Sequence, residues 1–390
     1  MAPARYSTLD AAQSHVLALE SRAAAAEADA AAASEPGEAS YLAETARRAR
    51  SAASCAASAV AAASWPLPPR EPEPVRRVHC SEVSLSDFRK DWSLRGEPLL
   101  VEGLGAHLTS DGERGAELGW LRRLAGGKTV AVTTEHSHVA SKLSPEHTEL
   151  MPLGELLEAV QAGAKGEGWY LYDCAVPLKL PSLLEAVRVP RYFAHDFLQR
   201  TMRLHAFSRS WPSLFVAGRG TRSSLHCDQW QGNFWMAVVA GVKRWTVFRA
   251  GDVPFLDPDW GRRSLDPAMA PLEAQDADPG AHPLLPLARR WQADVGPGDV
   301  LYVPGGCPHH VENLGDYTVA LAGNYVDETN CGRAISDLAL QGARQGGAMM
   351  ESFRTIDEVE YDEEAGLVEE RLGAEHLVVP YEAFKGGECA

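Results

Sequence analysis

The sequence predicts a mainly β fold, an antiparallel barrel or double-sheet jelly roll with flanking helices and an alanine-rich helical N-terminal extension. Three observations predict it. Residues 213–248 and 291–326 are dominated by short β-type runs between glycine turns, such as "SLFVAG", "FWMAVVAG", "KRWTVF", "DVLYVP" and "YTVALAGNYV". Many short strands at this spacing are the pattern of closed or double-sheet β architectures. Residues 1–65 have a different texture, with "SRAAAAEADAAAAS" and "RRARSAASCAASAVAAASW", and alanine is the strongest helix former. Between the two textures, "WPLPPREPEP" at 65–74 is a proline-rich spacer that cannot continue a helix.

The elements follow in order. Residues 1–65 read as two helices separated near "SEPGEAS". Small side chains bury little area, so a loosely attached appendage is expected. Residues 66–76 form the linker, 77–330 the barrel domain and 331–390 a C-terminal helical segment. Within the domain, "SLSDFRKDW" reads as a helix with Ser84 or Ser86 near its cap, and "GEPLLVEGL" as a strand. "LGWLRRLAGGKTVAVTTE" gives helix, turn and strand; Pro152 to Gly163 is helical, and "GWYLYDC" is a strand. The stretch "DVPFLDPDWGRRSLDPAMAPLEAQDADPGAHPLLP" reads as a long surface loop inserted between barrel strands, a place where recognition often resides.

Bulk properties exclude several classes. With 37 Lys+Arg against 53 Asp+Glu the net charge is −16, which argues against nucleic acid, whose binding needs a basic face. The same charge suits a basic protein or peptide substrate. Seven scattered cysteines without CxxC spacing indicate neither a zinc module nor a disulfide framework, and point to a reducing compartment. No run reaches the roughly 18 apolar residues of a membrane helix, and the start lacks an apolar core after a basic segment. The expectation is a soluble intracellular protein of the nucleus or cytoplasm, with no membrane partner.

The chemistry concentrates in two stretches. In "SSLHCDQW", His226 and Asp228 are two apart, so on a strand both side chains share a face. In "GPGDVLYVPGGCPHHVENL", Gly298 is followed after five residues by Pro304, then by Gly306, His309 and Asn313. That spacing resembles the second motif of cupin barrels, the double-stranded β-helix fold, and Gly220 followed by His226 and Asp228 resembles the first. Two histidines and one carboxylate on one face form the facial triad of non-haem Fe(II) oxygenases, with positions left open for a co-substrate and O2. A structural Zn2+ site would be closed by four protein ligands. His310 alternates to the opposite face and is the weaker ligand candidate. Lys243, in "AGVKRWTVF", is either a solvated turn lysine or a buried ammonium that must meet an anion.

Over Ser86 to Val326 the chain resembles the JmjC (jumonji-C) 2-oxoglutarate oxygenases, above all the branch described as bifunctional arginine demethylase and lysyl hydroxylase. The resemblance rests on "DFRKDWSLRGEPLLVEGL", "WYLYD", "VRVPRYFAHDFLQ", "SSLHCD", "GVKRW", "GDVLYVPGG", "PHHVENL" and "AGNY". It implies Fe(II) held by His226, Asp228 and His309, and 2-oxoglutarate whose distal carboxylate meets Lys243, Ser223 and Tyr170, with Asn324 as a pocket asparagine. It implies hydroxylation of a protein side chain, Lys or Arg before others, or N-demethylation through hydroxylation. Some positions depart from the family pattern: Cys307-Pro308 stand where a tryptophan pair is usual, Met236 replaces an asparagine (Asn233 lies nearby), and Ala322 replaces a threonine. The alternatives are a non-catalytic cupin-like binding module and a cupin enzyme using another metal without 2-oxoglutarate.

Other features carry less. "AGGKT" lacks the first glycine of a P-loop, and "EHSH" at 135–138 reads as a solvated loop. The helices after Cys331 resemble a region that pairs subunits in related hydroxylases, which leaves a homodimer open beside an intramolecular cap. Cys227 and Cys307 flank the expected iron and suggest an oxidation liability.

Overall fold

Alanine at helical spacing lets two helices approach closely, and that is how the chain begins. The structure, a computed structural model, describes residues 6–109, 118–134, 147–163, 166–200, 210–261, 264–345 and 378–380. Helix α1 (Leu9–Ala32) starts at Thr8, whose Oγ1 accepts from Ala11 N at 3.3 Å. It pairs with α2 (Pro36–Ala62), which has proline in its first turn, where a missing N–H costs nothing. This hairpin is docked rather than loosely attached. Its alanines leave room for large partners from elsewhere: Ala46, Ala49 and Ala52 surround Trp260, and Ala53, Ala56 and Val60 pack on Leu284. Two charged contacts pin it, Arg22 Nη1 to Asp257 Oδ1 at 2.6 Å and Arg48 to the buried Asp337.

The proline-rich spacer also lies on the body. Ser7 and Leu67 exchange backbone hydrogen bonds at 3.0 Å, and β1 (Glu73–Pro74) runs beside a barrel strand. Strand β2 (Arg76–His79) leads to α3 (Leu85–Phe88), capped by Ser84, whose Oγ accepts from Asp87 N at 3.0 Å. Then come β3 (Leu99–Glu102), α4 (Gly119–Ala125), β4 (Thr129–Thr133), β5 (Thr148–Pro152), α5 (Leu153–Gln161), β6 (Tyr170–Ala175), α6 (Val176–Lys179) and β7 (Arg188–Pro190). The barrel continues with β8 (Ser213–Gly218), β9 (Arg222–His226) and β10 (Asn233–Phe248). After the inserted segment with α7 (Leu272–Ala277) follow β11 (Arg290–Val295), β12 (Val300–Val303), β13 (His309–Tyr325), α8 (Cys331–Gln345) and β14 (Val378–Pro380).

Twelve strands share one hydrogen-bonded system, in the order β2-β3-β12-β10-β13-β8-β6-β4-β5, with β11 and β1 added beside β10 and β9 beside β13. The jelly-roll character comes from β10 and β13. "FWMAVVAG" and "KRWTVF", which read as two strands, are one 16-residue strand, and β13 likewise runs 17 residues through "ENLGD". The first half of β10 pairs with β12 and its second half with β11; β13 pairs first with β9 and then with β8. Each long strand therefore serves both sheets and bends where it passes between them.

The bend sits at register shifts around Ala240. Gly241 has φ +76° there, and a Cβ on it would lie 2.1 Å from Tyr317 O. Gly241→Ala is expected to cost about 3 kcal/mol, from left-handed strain plus overpacking, read as a lower midpoint in urea unfolding; an unchanged midpoint would mean the bend is elastic.

Side-chain alternation then divides the core. On β10, Phe234, Met236 and Val238 face the barrel interior, while Trp235 and Ala237 face the helical layer of α3 to α6. Both faces are covered, which is why these strands read as unbroken apolar runs. The insertion between β10 and β11 is not a plain surface loop. Trp260, Leu265, Leu272 and Leu284 are buried, and the N-terminal hairpin rests on Trp260, Leu265 and Leu284. Helix α8 folds back on its own chain, with Ala334 and Leu338 against Phe197, Leu198, Trp211 and Val326, so it serves as an intramolecular cap.

Candidate metal centre

Strands β9 and β13 run side by side, with His226 directly opposite His309. Their ring centroids are 4.3 Å apart. Asp228, just past the end of β9, places Oδ1 3.8 Å from His226 Nε2 and 3.9 Å from His309 Nε2. All three donor atoms thus converge on one point. The opposite ring nitrogens are occupied: His226 Nδ1 lies 2.6 Å from Ser224 O, and His309 Nδ1 3.0 Å from Cys307 O. A carbonyl can only accept, so each proton sits on Nδ1 and each Nε2 keeps its lone pair for a metal. Burial, then the neighbouring His226, bring the His309 pKa down to about 4, so the ring is neutral at physiological pH. Asn324 Nδ2 donates to Asp228 Oδ2 at 2.9 Å, which leaves Oδ1 turned toward the histidines.

The other end of the same cavity is built around Lys243. On β10 Lys243, Trp245 and Val247 share the inward face; on β13 His309, Val311 and Asn313 do, and Lys243 pairs across with Asn313. Lys243 is 0% exposed. Its ammonium donates to Asn313 Oδ1 and lies 5.6 Å from the Tyr170 ring centroid. No carboxylate is paired with it among the described residues, and burial lowers its pKa to about 7. Asn313 is itself fixed, donating to Thr221 Oγ1 at 2.8 Å and accepting from Thr318 Oγ1 at 2.8 Å. Ser223 and Tyr170 complete this end, and Phe234, Met236, Trp245 and Val311 wall the cavity with apolar surface.

All seven residues expected from the sequence, His226, Asp228, His309, Lys243, Ser223, Tyr170 and Asn324, line this one cavity. Ser223 and His226 are three apart, which on a regular strand would put them on opposite faces; a register shift between His309 and Val311 brings both inward. Asn313 was visible only as the last position of the second motif, and its role beside Lys243 depends on a cross-strand pairing. Asn233 does not substitute for the missing asparagine at Met236. Its Oδ1 accepts from Gly305 N at 2.9 Å, so it braces the turn before His309. Burial pushes the Cys307 thiol up to about 12 and the Cys227 thiol well above its ordinary value.

His310 faces outward, as alternation requires. It meets Glu273 at 3.7 Å near Glu312, and Arg222 is already paired with Glu273. "EHSH" at 135–138 lies outside the described residues.

The family model described as a cupin-like domain matches residues 85–331, well over half of the chain. The chain belongs to the cupin-like domain family. This cupin-like chain is 28% identical over 243 residues to "Lysine-specific demethylase 8" of Danio rerio, covering 62% of the chain and 55% of the relative. It is 24% identical over 264 residues to "2-oxoglutarate and iron-dependent oxygenase JMJD4" of Mus musculus, covering 63% and 59%. It is 23% identical over 282 residues to "Bifunctional arginine demethylase and lysyl-hydroxylase psr-1" of Caenorhabditis briggsae, covering 67% and 64%. The cupin-like chain spans less than two thirds of the length of each of these. Among the described residues, no helix is long and apolar enough to cross a membrane.

Proposed function

We propose that this chain is an Fe(II)- and 2-oxoglutarate-dependent oxygenase that hydroxylates a Lys or Arg side chain of a protein or peptide, with N-demethylation as the outcome when the carbon attacked is an N-methyl group. One observation carries the reading: a fully buried ammonium with only neutral partners faces the same cavity as two imidazole lone pairs and a carboxylate. A buried charge without a counter-ion is costly, so the site is built for an anion. A three-donor face of two nitrogens and one carboxylate oxygen suits non-haem Fe(II) with positions left open. The residues therefore fit both groups. The relatives whose names specify iron, 2-oxoglutarate, demethylation or lysyl hydroxylation lend support.

In this reading His226, Asp228 and His309 hold the metal, and Lys243 with Ser223 and Tyr170 holds the distal carboxylate of 2-oxoglutarate. When bound, iron, 2-oxoglutarate and O2 together supply oxidative decarboxylation to succinate and CO2 and insertion of oxygen into a C–H bond. The protein's own part is placement. Ser224 O and Cys307 O fix the imidazole tautomers, and Asn324 aims the carboxylate. Asn313 aims the ammonium, whose charge-assisted bonds both strengthen and orient. Phe234, Trp245 and Val311 keep water out, which raises the worth of each charge inside. The catalytic unit is proposed to span residues 77–330.

The test is succinate formation from 2-oxoglutarate by iron-loaded protein beside metal-stripped protein, with basic peptides or cell extract supplied. Iron-dependent succinate is the expected result. Its absence with iron demonstrably bound and substrate extract present would overturn the reading in favour of a binding module.

A further inference from the structure

Side-chain alternation along β6 breaks beside the metal cavity. Tyr170 points into that cavity and Leu171 into the helical layer, so a regular strand would turn Tyr172 inward, Asp173 outward and Cys174 inward. Cys174 instead packs in the helical layer with Leu171. The cause is a register shift against β8: Leu171 lies opposite Val216 and Cys174 opposite Leu214, so β6 carries one extra residue between them. Asp173 has φ +48° there, and Tyr172 and Asp173 both line the cavity. A bulge re-aims a side chain in this way, and Asp is one of the few residue types that tolerate the left-handed region.

The bulge puts a carboxylate at the end of the cavity away from Lys243. Tyr170, whose ring centroid is 5.6 Å from the Lys243 ammonium, is level with Ala217 of β8 and Thr318 of β13. Cys174 is level with Leu214 and Leu321. The strand therefore runs from Lys243 toward Asn324, which bonds Asp228, and Asp173 lies at most about 10 Å along it from Tyr170. Exposure rises the same way: Tyr170 is 1% exposed, Tyr172 is half-buried and Asp173 is exposed. Asp228, the other carboxylate lining the cavity, is committed to Asn324 and the two histidines. Among the described residues no basic side chain pairs with Asp173; its polar neighbours are the Ser213 hydroxyl and the Asp228 carboxylate. Water satisfies Asp173 while the mouth is open. A substrate that closes the mouth strips this water, so an uncharged side chain leaves a carboxylate desolvated and unpaired, whereas a cation pairs with it.

We propose that Asp173 holds the cationic group of a substrate lysine or arginine at the mouth of the metal cavity and so sets specificity for a basic side chain. The inference rests on the oxygenase reading and adds the residue that selects its substrate. One cavity then carries two opposite charges with separate duties: the Lys243 ammonium for the anionic co-substrate and the Asp173 carboxylate for the cationic substrate, with His226, Asp228 and His309 lining the same space.

The test uses the full chain with Fe(II) and 2-oxoglutarate without oxygen, and four fluorescent nonapeptides identical except for a central Lys, Arg, norleucine or Glu. The Lys or Arg peptide is expected to bind at least tenfold tighter than the norleucine peptide, about 1.4 kcal/mol, and the Glu peptide weakest. Asp173→Asn, nearly isosteric and tolerant of the same backbone angle, is expected to erase that margin. Asp173→Gly, which takes up a positive φ freely, is expected to erase it too, and thermal melts show that each variant is folded. Equal binding of the Lys, Arg and norleucine peptides, binding of none of them, or a margin that survives in a folded variant would overturn the proposal. Failure of the oxygenase reading looks different: wild-type protein would form no succinate while the peptide margin stayed intact.

Discussion

Asp228→Ala is expected to lower iron affinity at least a hundredfold and to remove iron-dependent succinate formation, while leaving the fold in place. The carboxylate is the only anionic donor among the three converging groups. Two imidazoles alone make a softer site with little hold on Fe(II). Asp228 lies outside the regular span of β9, is only part-buried, and contributes no backbone pairing that alanine would lose. Asn324→Ala grades the same effect. It removes the 2.9 Å bond that turns the carboxylate, and loss of an outer partner of this kind costs about ten- to a hundredfold in metal affinity or activity. Titration of stripped protein with Fe(II) under anaerobic conditions, beside a thermal melt, separates lost ligation from lost folding. Unchanged iron binding in Asp228→Ala would remove Asp228 from the site.

Much of this geometry was legible because short-range periodicity and a short motif carry it. The i, i+2 spacing of His226 and Asp228 and the run from Gly298 to Asn313 needed only strand alternation and one turn to bring three donors together. The capping of α3 by Ser84 and the strands at Leu99–Glu102 and Tyr170–Ala175 were equally local. What escaped depends on long-range pairing. Gly241 looks like a turn glycine, yet it is the bend of one continuous strand, because β10 has partners on both sides of that position. The inward turn of Ser223 depends on a register shift that no residue type announces. Alanine-rich helices suggested weak attachment because their own side chains are small; the apolar area came from Trp260 and Leu284, more than two hundred residues away in the chain. A cleft that brings together Arg48, Cys227, Trp260, Gly306 and Asp337 has no local signature.

Lys243 can be tested where its two roles oppose each other. Burial takes its pKa from 10.5 to about 7. Below pH 7 the ammonium is protonated in both folded and unfolded chains, and the folded chain bears the full cost of burying it. Between about pH 7 and 10.5 the unfolded chain keeps a proton that the folded chain has lost, so stability of the ligand-free protein rises with pH across that window. Lys243→Met removes the buried charge while keeping its length. Asn313 Oδ1 retains the bond from Thr318 Oγ1 at 2.8 Å, so no polar atom is stranded. The ligand-free variant is therefore expected to be more stable than wild type at pH 6–7 by about 1–3 kcal/mol, as for other buried charges replaced by apolar groups. Binding moves the other way. A 2-oxoglutarate carboxylate buried without its ammonium loses about 2–5 kcal/mol, so affinity falls at least roughly thirtyfold. In wild type that affinity also weakens above pH 7, by up to about tenfold per pH unit, because the ammonium that the ligand needs is losing its proton. Melting curves of both proteins with and without 2-oxoglutarate, at pH 6.5 and 8.5, read all of this at once. A variant less stable than wild type and still stabilised by 2-oxoglutarate would make Lys243 a structural residue, and the anion would have to be held elsewhere in the cavity.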